Sequence, residues 1–293
     1  MEHRTAGGLV GKLWKYLTHL CGRFSRKYYW EDFDRVYPGG VRLDHRGRQL
    51  PTAEHDIRNF LNHQKFYRFA AQFARDRTVA DIGCGSGYGS ALLKNAGAVL
   101  VYGTDASEHA IDYAREHYGD VVEFSVQSIT DMGLYEDDQF DQIVCSEVLE
   151  HVKEYGKEGL ALREIRRITR PGGVVVLSTP NSEMLADHGF SYEEIVALMK
   201  EHFAEYGIFE NALVPFGSSK ELWERRLSDG RTGIVVTQAI NLDETVLLHE
   251  GVPQLKSGIP AGLYRVGGVE VDTTLLHNTH SWAIVAIESR HVV

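Results

Sequence analysis

Beyond residue 77, short apolar runs alternate with stretches of helical spacing, and this alternation is the main structural signal in the chain. The runs 78–81, 98–105, 121–126, 140–145 and 174–179 are brief, apolar and rich in β-branched residues, as expected of strands buried on both faces. Between them the spacing predicts helices over 88–95, from Ser107 as an N-cap, and over 159–170, the last stopped by Arg170-Pro-Gly-Gly173. A helix over 52–75 with Thr52 as N-cap precedes the first strand, and an amphipathic helix over 191–202 follows the fifth. Two more strands are expected at 207–214 and 281–288. Strand and helix in alternation predict an α/β sheet with helices on both faces.

The chemistry starts where the first strand breaks into alternate glycines, Asp81-Ile-Gly83-Cys-Gly85-Ser-Gly87. Glycines at this spacing let the backbone turn tightly and approach a ligand before a helix begins, so the turn reads as a nucleotide site. A dinucleotide fingerprint would need glycine where Tyr88 stands, which weakens a pyrophosphate reading. Asp105 closes the second strand roughly 20 residues beyond the turn, where an acid can accept both hydroxyls of a ribose.

Composition agrees with one enzyme domain carrying additions. With 293 residues, 43% hydrophobic and 25% charged, the chain can bury a full core without disulfide or metal staples. Cys21, Cys84 and Cys145 cannot all pair, which fits a reducing cytoplasm. The net charge of −10 argues against broad binding to a nucleic-acid backbone. The charge is uneven: residues 1 to 30 hold six Lys or Arg against Glu2 alone, a balance of +5 that leaves −15 on the rest. In that basic segment Leu9, Leu13, Leu17 and Leu20 recur at helical spacing beside Trp14 and Tyr16. Such a helix suits packing on the domain or a second subunit of a homodimer, or peripheral contact with an anionic membrane. It is too short and too charged to span a bilayer, and no cleavage site follows it.

Taken in order, the Asp81 to Gly87 turn, Asp105, Ser146-Glu-Val-Leu-Glu-His-Val152 and Pro171-Gly-Gly173 with Ser178-Thr-Pro-Asn181 resemble the motifs of class I S-adenosylmethionine-dependent methyltransferases. The nearest likeness is to small-molecule O-methyltransferases, including ubiquinone-pathway enzymes and bacterial sugar and natural-product methyltransferases. The resemblance covers about residues 78 to 214 and the last strand. It implies a Rossmann-like fold, a seven-stranded, mostly parallel sheet of order 3-2-1-4-5-7-6. Four regions follow: an N-terminal basic helix and helical cover (1–76), the core (77–216), an insertion (217–279) and the final strand (280–293). Within the insertion a helix at 219–227 and strands at 233–237, 245–249 and 263–266 are expected, making either a lid or an oligomerisation patch.

The resemblance also implies a cofactor site made by Asp81, Gly83, Cys84, Gly85, Gly87, Asp105, Ala106, Ser128, Ile129 and Glu147. Ser128 stands where the family commonly has an acid against the adenine amine, and Ile129 contributes apolar surface. Methyl transfer from a sulfonium needs in-line alignment and an acceptor free of its proton. His151, after the fourth strand, has the imidazole pKa for that base, and His188 with Asp187 as orienting carboxylate is the second candidate. The competing reading makes His151 a core or helix-face histidine and the His188 pair a solvated loop. Alternatively Glu147, Glu150, His151 and His188 hold Mg²⁺ or Mn²⁺, as similar motifs do in ubiquinone-pathway enzymes and in 2′-O-methyltransferases of small-RNA ends. Three functions therefore stand open: O-methylation of a small hydroxylated acceptor, metal-dependent methylation of an RNA end, and a cofactor-binding scaffold without catalysis.

Overall fold

In the computed structural model, the residues described are 37–38, 42–43, 49–50, 54–182, 188–212, 263–266 and 279–289. The expected basic helix near the start, Thr52, Asp187, and the insertion apart from 263–266 and Thr279 lie outside them. Strands β1 (Thr78–Ile82), β2 (Leu100–Asp105), β3 (Glu123–Val126), β4 (Phe140–Ser146) and β5 (Thr169–Pro180) run parallel in the order β3-β2-β1-β4-β5. Beyond β5 come β6 (Glu205–Ala212), β7 (Leu263–Val266) and β8 (Thr279–Ile287), and the sheet continues β5-β8-β6-β7. The last strand inserts antiparallel between β5 and β6, which is the expected class I order. Among the described residues this sheet has one strand more than the expected seven: β7, from the insertion, pairs antiparallel with the outer edge of β6.

Successive side chains of a strand point to opposite faces, and the central strands bury both. On one face Ile82, Cys145, Leu177 and Ile284 pack with Leu162 and Ile165 of α5 (Glu158–Ile168) and Met199 of α6 (Tyr192–His202). On the other, Val79, Val101, Val144, Val176 and Val285 pack with Phe69 of α1 (Glu54–Ala71) and Leu93 of α2 (Tyr88–Asn95). This explains why these strands read as unbroken apolar runs.

Local chemistry fixes the helix ends. Ser107 caps α3 (Glu108–Tyr118), its Oγ accepting from the Ala110 N–H at 3.2 Å, and Ser191 with Glu194 forms a capping box on α6. Two ends differ from expectation. Helix α1 stops at Ala71 rather than residue 75, because Gln72, Phe73 and Ala74 bond three residues back and Asp76 takes φ 60°. Helix α5 stops at Ile168, since the Thr169 hydroxyl donates to the Ile165 carbonyl at 2.6 Å and Thr169 already pairs with Phe140. The Pro-Gly-Gly segment is then a bulge in β5, held by Gly172 N–H on the Glu288 carbonyl at 2.7 Å. Among the described residues, no helix is long and apolar enough to cross a membrane.

Candidate active site

The carboxyl ends of β1, β2, β4 and β5 meet along one edge of the sheet, where ligands bind in open α/β folds. After β1 the backbone turns through Gly83, Gly85 and Gly87 with φ of 72°, 54° and 83°, left-handed values that favour glycine. The Gly83 and Cys84 N–H groups both donate to the Thr104 carbonyl, at 2.7 and 2.9 Å, and fasten the turn to β2. Asp105 ends β2, and two backbone amides hold its carboxylate: Gly85 N–H at 3.0 Å and Ser107 N–H at 2.9 Å. Ala106 is exposed beside it. Asp81 is brought to the same region, but it is buried beneath the turn, accepting from Ser90 and Tyr67.

The loop after β3 closes the next side. Ile129 is buried, whereas Ser128 is exposed and its Oγ bonds to Thr130 Oγ1 at 2.9 Å. Gln127, to which the sequence reading gave no role, shapes this loop. Its backbone N–H donates to the Asp105 carbonyl, its Oε1 accepts from Leu134 N–H at 3.1 Å, and its amide donates to Ser125.

After β4, Glu147 takes φ 54°, a left-handed conformation uncommon for a residue with a side chain. Two contacts to β5 stabilise it: its N–H donates to the Ser178 carbonyl, and the Ser178 hydroxyl donates to its Oε1 at 2.8 Å. Burial pushes the Glu147 carboxyl up to about 7, partly offset by that hydroxyl. Glu150, on the short helix α4 (Leu149–Lys153), is buried and accepts from Thr179 Oγ1 at 3.0 Å. Burial, then the neighbouring Glu147 charge, raises its carboxyl well above the usual range.

His151 Nε2 lies 3.9 Å from Glu150 Oε1, and its ring centroid lies 5.5 Å from that of His188. Ligand atoms of Glu150, His151 and His188 all fall within 4.8 Å of one another, and Glu147, turned to Ser178, stands outside that group. Buried acids beside imidazoles can take a proton or share a cation. Lys153, two residues beyond His151, carries no signal in the sequence. It ties the His188 loop to α4, donating to the Gly189 carbonyl at 2.8 Å and to Glu194 at 2.7 Å, with its Nζ 4.4 Å from the Phe190 ring centre.

Residues 80–177 match the model of a family described as a methyltransferase domain. Among curated proteins, the chain is 33% identical over 140 residues to the ubiquinone biosynthesis O-methyltransferase of Thiobacillus denitrificans, covering 45% of this chain and 58% of that one. It is 30% identical over 150 residues to a probable S-adenosylmethionine-dependent methyltransferase of Mycolicibacterium smegmatis, covering 51% and 56%. The chain thus spans little more than half the length of these relatives. Among solved structures, YcgJ of Bacillus subtilis has a TM-score of 0.48 at 17% identity, over 78% of this chain and 99% of that one. The N-methyltransferase NodS of Bradyrhizobium japonicum, in complex with S-adenosyl-L-homocysteine, has a TM-score of 0.44 at 19% identity, over 51% and 78%.

Proposed function

We propose that the chain, whose residues 80–177 match a methyltransferase domain, is a class I S-adenosylmethionine-dependent methyltransferase that methylates a hydroxyl of a small acceptor, such as a sugar, a glycolipid precursor or a natural product. One observation carries the reading. Val148 Cγ2 lies 2.2 Å from where a Cβ on Gly83 would stand, so the glycine turn and the segment bearing Glu150 and His151 touch. A nucleoside on the turn would then present its reactive end beside the imidazole.

The cradle fits that ligand by its shape and donor set. A Cβ at Gly83 would strike Val148 and one at Gly87 would strike Ala114 and Phe124, so the turn can pack in this shape only with glycine at both, and the amide-held Asp105 carboxylate suits a pair of ribose hydroxyls. Were the cofactor bound there, Cys84 and Ala106 would flank it, Ile129 with Ser128 would border its adenine, and Glu147 would close its methionine end. When bound, S-adenosylmethionine supplies a methyl on a sulfonium, a leaving group that needs no protonation. The chain's part is to hold the acceptor oxygen in line and remove its proton. His151 takes that proton, steadied by Glu150, with His188 as the opposite wall. The O-methyltransferase names of several curated relatives support a hydroxyl acceptor.

A second reading is favoured by the 4.8 Å group of Glu150, His151 and His188. One carboxylate and two imidazoles would hold Mg²⁺ or Mn²⁺, and such an ion would lower the pKa of an acceptor hydroxyl.

A labelled-methyl screen over sugars, lipid-linked sugars, phenols and short RNAs, with Mg²⁺ or with a chelator, tests both. We expect transfer to a small hydroxylated acceptor. We also expect His151→Ala to lower kcat about a hundredfold or more while cofactor affinity holds. Unchanged turnover of that variant at every pH would remove the base assignment. Loss of activity on chelation, restored by Mg²⁺, would establish the second reading, and transfer to RNA ends alone would replace the acceptor class.

A further inference from the structure

Asp81 is wholly buried, and its two oxygens serve different elements. Oδ2 accepts from Ser90 Oγ at 2.6 Å, which clasps the far side of the glycine turn back to its origin. Oδ1 accepts from the Tyr67 hydroxyl at 3.0 Å, and Tyr67 belongs to α1, the helix that precedes the sheet. The tyrosine ring is also seated over Gly89, where a Cβ would stand 2.1 to 2.4 Å from its carbons. Gly89 has no left-handed φ to demand glycine, so the missing side chain makes room for Tyr67. Tyr88, at the start of α2, packs edge-on to Tyr67 and to Phe60, with centroids 5.8 and 5.2 Å away. Helix α1 is therefore joined to the turn by an aromatic seat and by one hydrogen bond to its buried acid.

We propose that Tyr67 is a positioning residue for the methyl donor: through Asp81 it holds the glycine turn in its ligand-ready shape, so that tight cofactor binding depends on the docking of α1. The inference rests on the reading of that turn as the S-adenosylmethionine site. A buried carboxylate that loses one of two donors must shift to recover a partner, and Asp81 stands two residues before Gly83, at the root of the turn that Ser90 clasps to it. Coupling between sites is reciprocal, so whatever docking contributes to cofactor affinity, the cofactor returns to docking.

The test is calorimetric titration of S-adenosyl-L-homocysteine into the wild type, Tyr67→Phe and Gly89→Ala, with melting temperatures and hydrogen exchange of α1 measured alongside. Tyr67→Phe keeps the ring and deletes the bond. We expect about tenfold weaker binding or more, with kcat at saturating cofactor and acceptor KM preserved. Gly89→Ala, which in an ordinary helix gains stability, is expected to weaken binding too by unseating Tyr67. The ligand should raise exchange protection of α1 in the wild type and do so less in Tyr67→Phe. If Tyr67→Phe loses thermal stability but binds like the wild type, Tyr67 is a fold contact only and the inference falls while the site stands. If Tyr67→Phe does not fold, undiminished binding by Gly89→Ala has the same force. No binding by the wild type overturns the site reading and this inference with it.

Discussion

Asp81 shows how far burial moves a single group. Desolvation pushes its carboxyl from the ordinary 3.8 up to about 7, with Ser90 and Tyr67 lowering it and the Asp105 charge adding to the rise. A folded value above the unfolded one means that the native state holds the proton more tightly. The contribution is fully present below the unfolded value and is lost as pH climbs through about 7. Glu147, raised to about 7, and Glu150, also raised, act with the same sign. The ligand-free protein is therefore expected to melt lower at pH 8 than at pH 5.5, and Asp81→Asn to flatten part of that slope. An identical slope in the variant would show that Asp81 is not a source of it. At this scale the sequence was legible where a conformation follows from neighbours in the chain, as for the tight turn through Gly83, Gly85 and Gly87. It was opaque where the partner is remote: Tyr67 acts on Asp81 14 residues away, and Lys153 on Gly189 36 away, with no local pattern to announce either.

Between residues and the sheet, glycines decide which loop approaches which. Gly83 combines φ 72° with the close approach of Val148, and Gly189 combines φ 100° with a would-be Cβ 2.1 Å from the Pro180 carbonyl oxygen. The first belongs to the glycine turn proposed to hold the cofactor, the second to the loop carrying His188. Gly83→Ala should thus abolish cofactor binding, whereas Gly189→Ala should leave it within a few-fold and cut turnover at least tenfold. Titration calorimetry and single-turnover rates separate them; both variants failing in the same quantity would refute the division of labour. The main helices and strands were readable because their apolar periods agree with their burial. The early stop of α5 was not, since Thr169 can cap the helix and open β5 only because Phe140 lies opposite.

Over the whole molecule, the sheet with its antiparallel eighth strand inserted between β5 and β6 puts the glycine turn, Asp105 and the Glu150-His151-His188 group on one edge. The order of motifs made that arrangement readable before any coordinates. The edge strand β7 was readable as a strand but not as a member of this sheet, because pairing across an insertion leaves no trace in local sequence. The acidic charge overall argues against a polyanion as the proposed acceptor. The central claim, that the turn and Asp105 hold S-adenosylmethionine, is tested most directly by titrating S-adenosyl-L-homocysteine and, separately, a nicotinamide dinucleotide into the wild type and Asp105→Ala. We predict one molecule of the first bound per chain, at least about tenfold more weakly in Asp105→Ala, and none of the second. No uptake of S-adenosyl-L-homocysteine, or uptake of the dinucleotide in its place, would contradict the account.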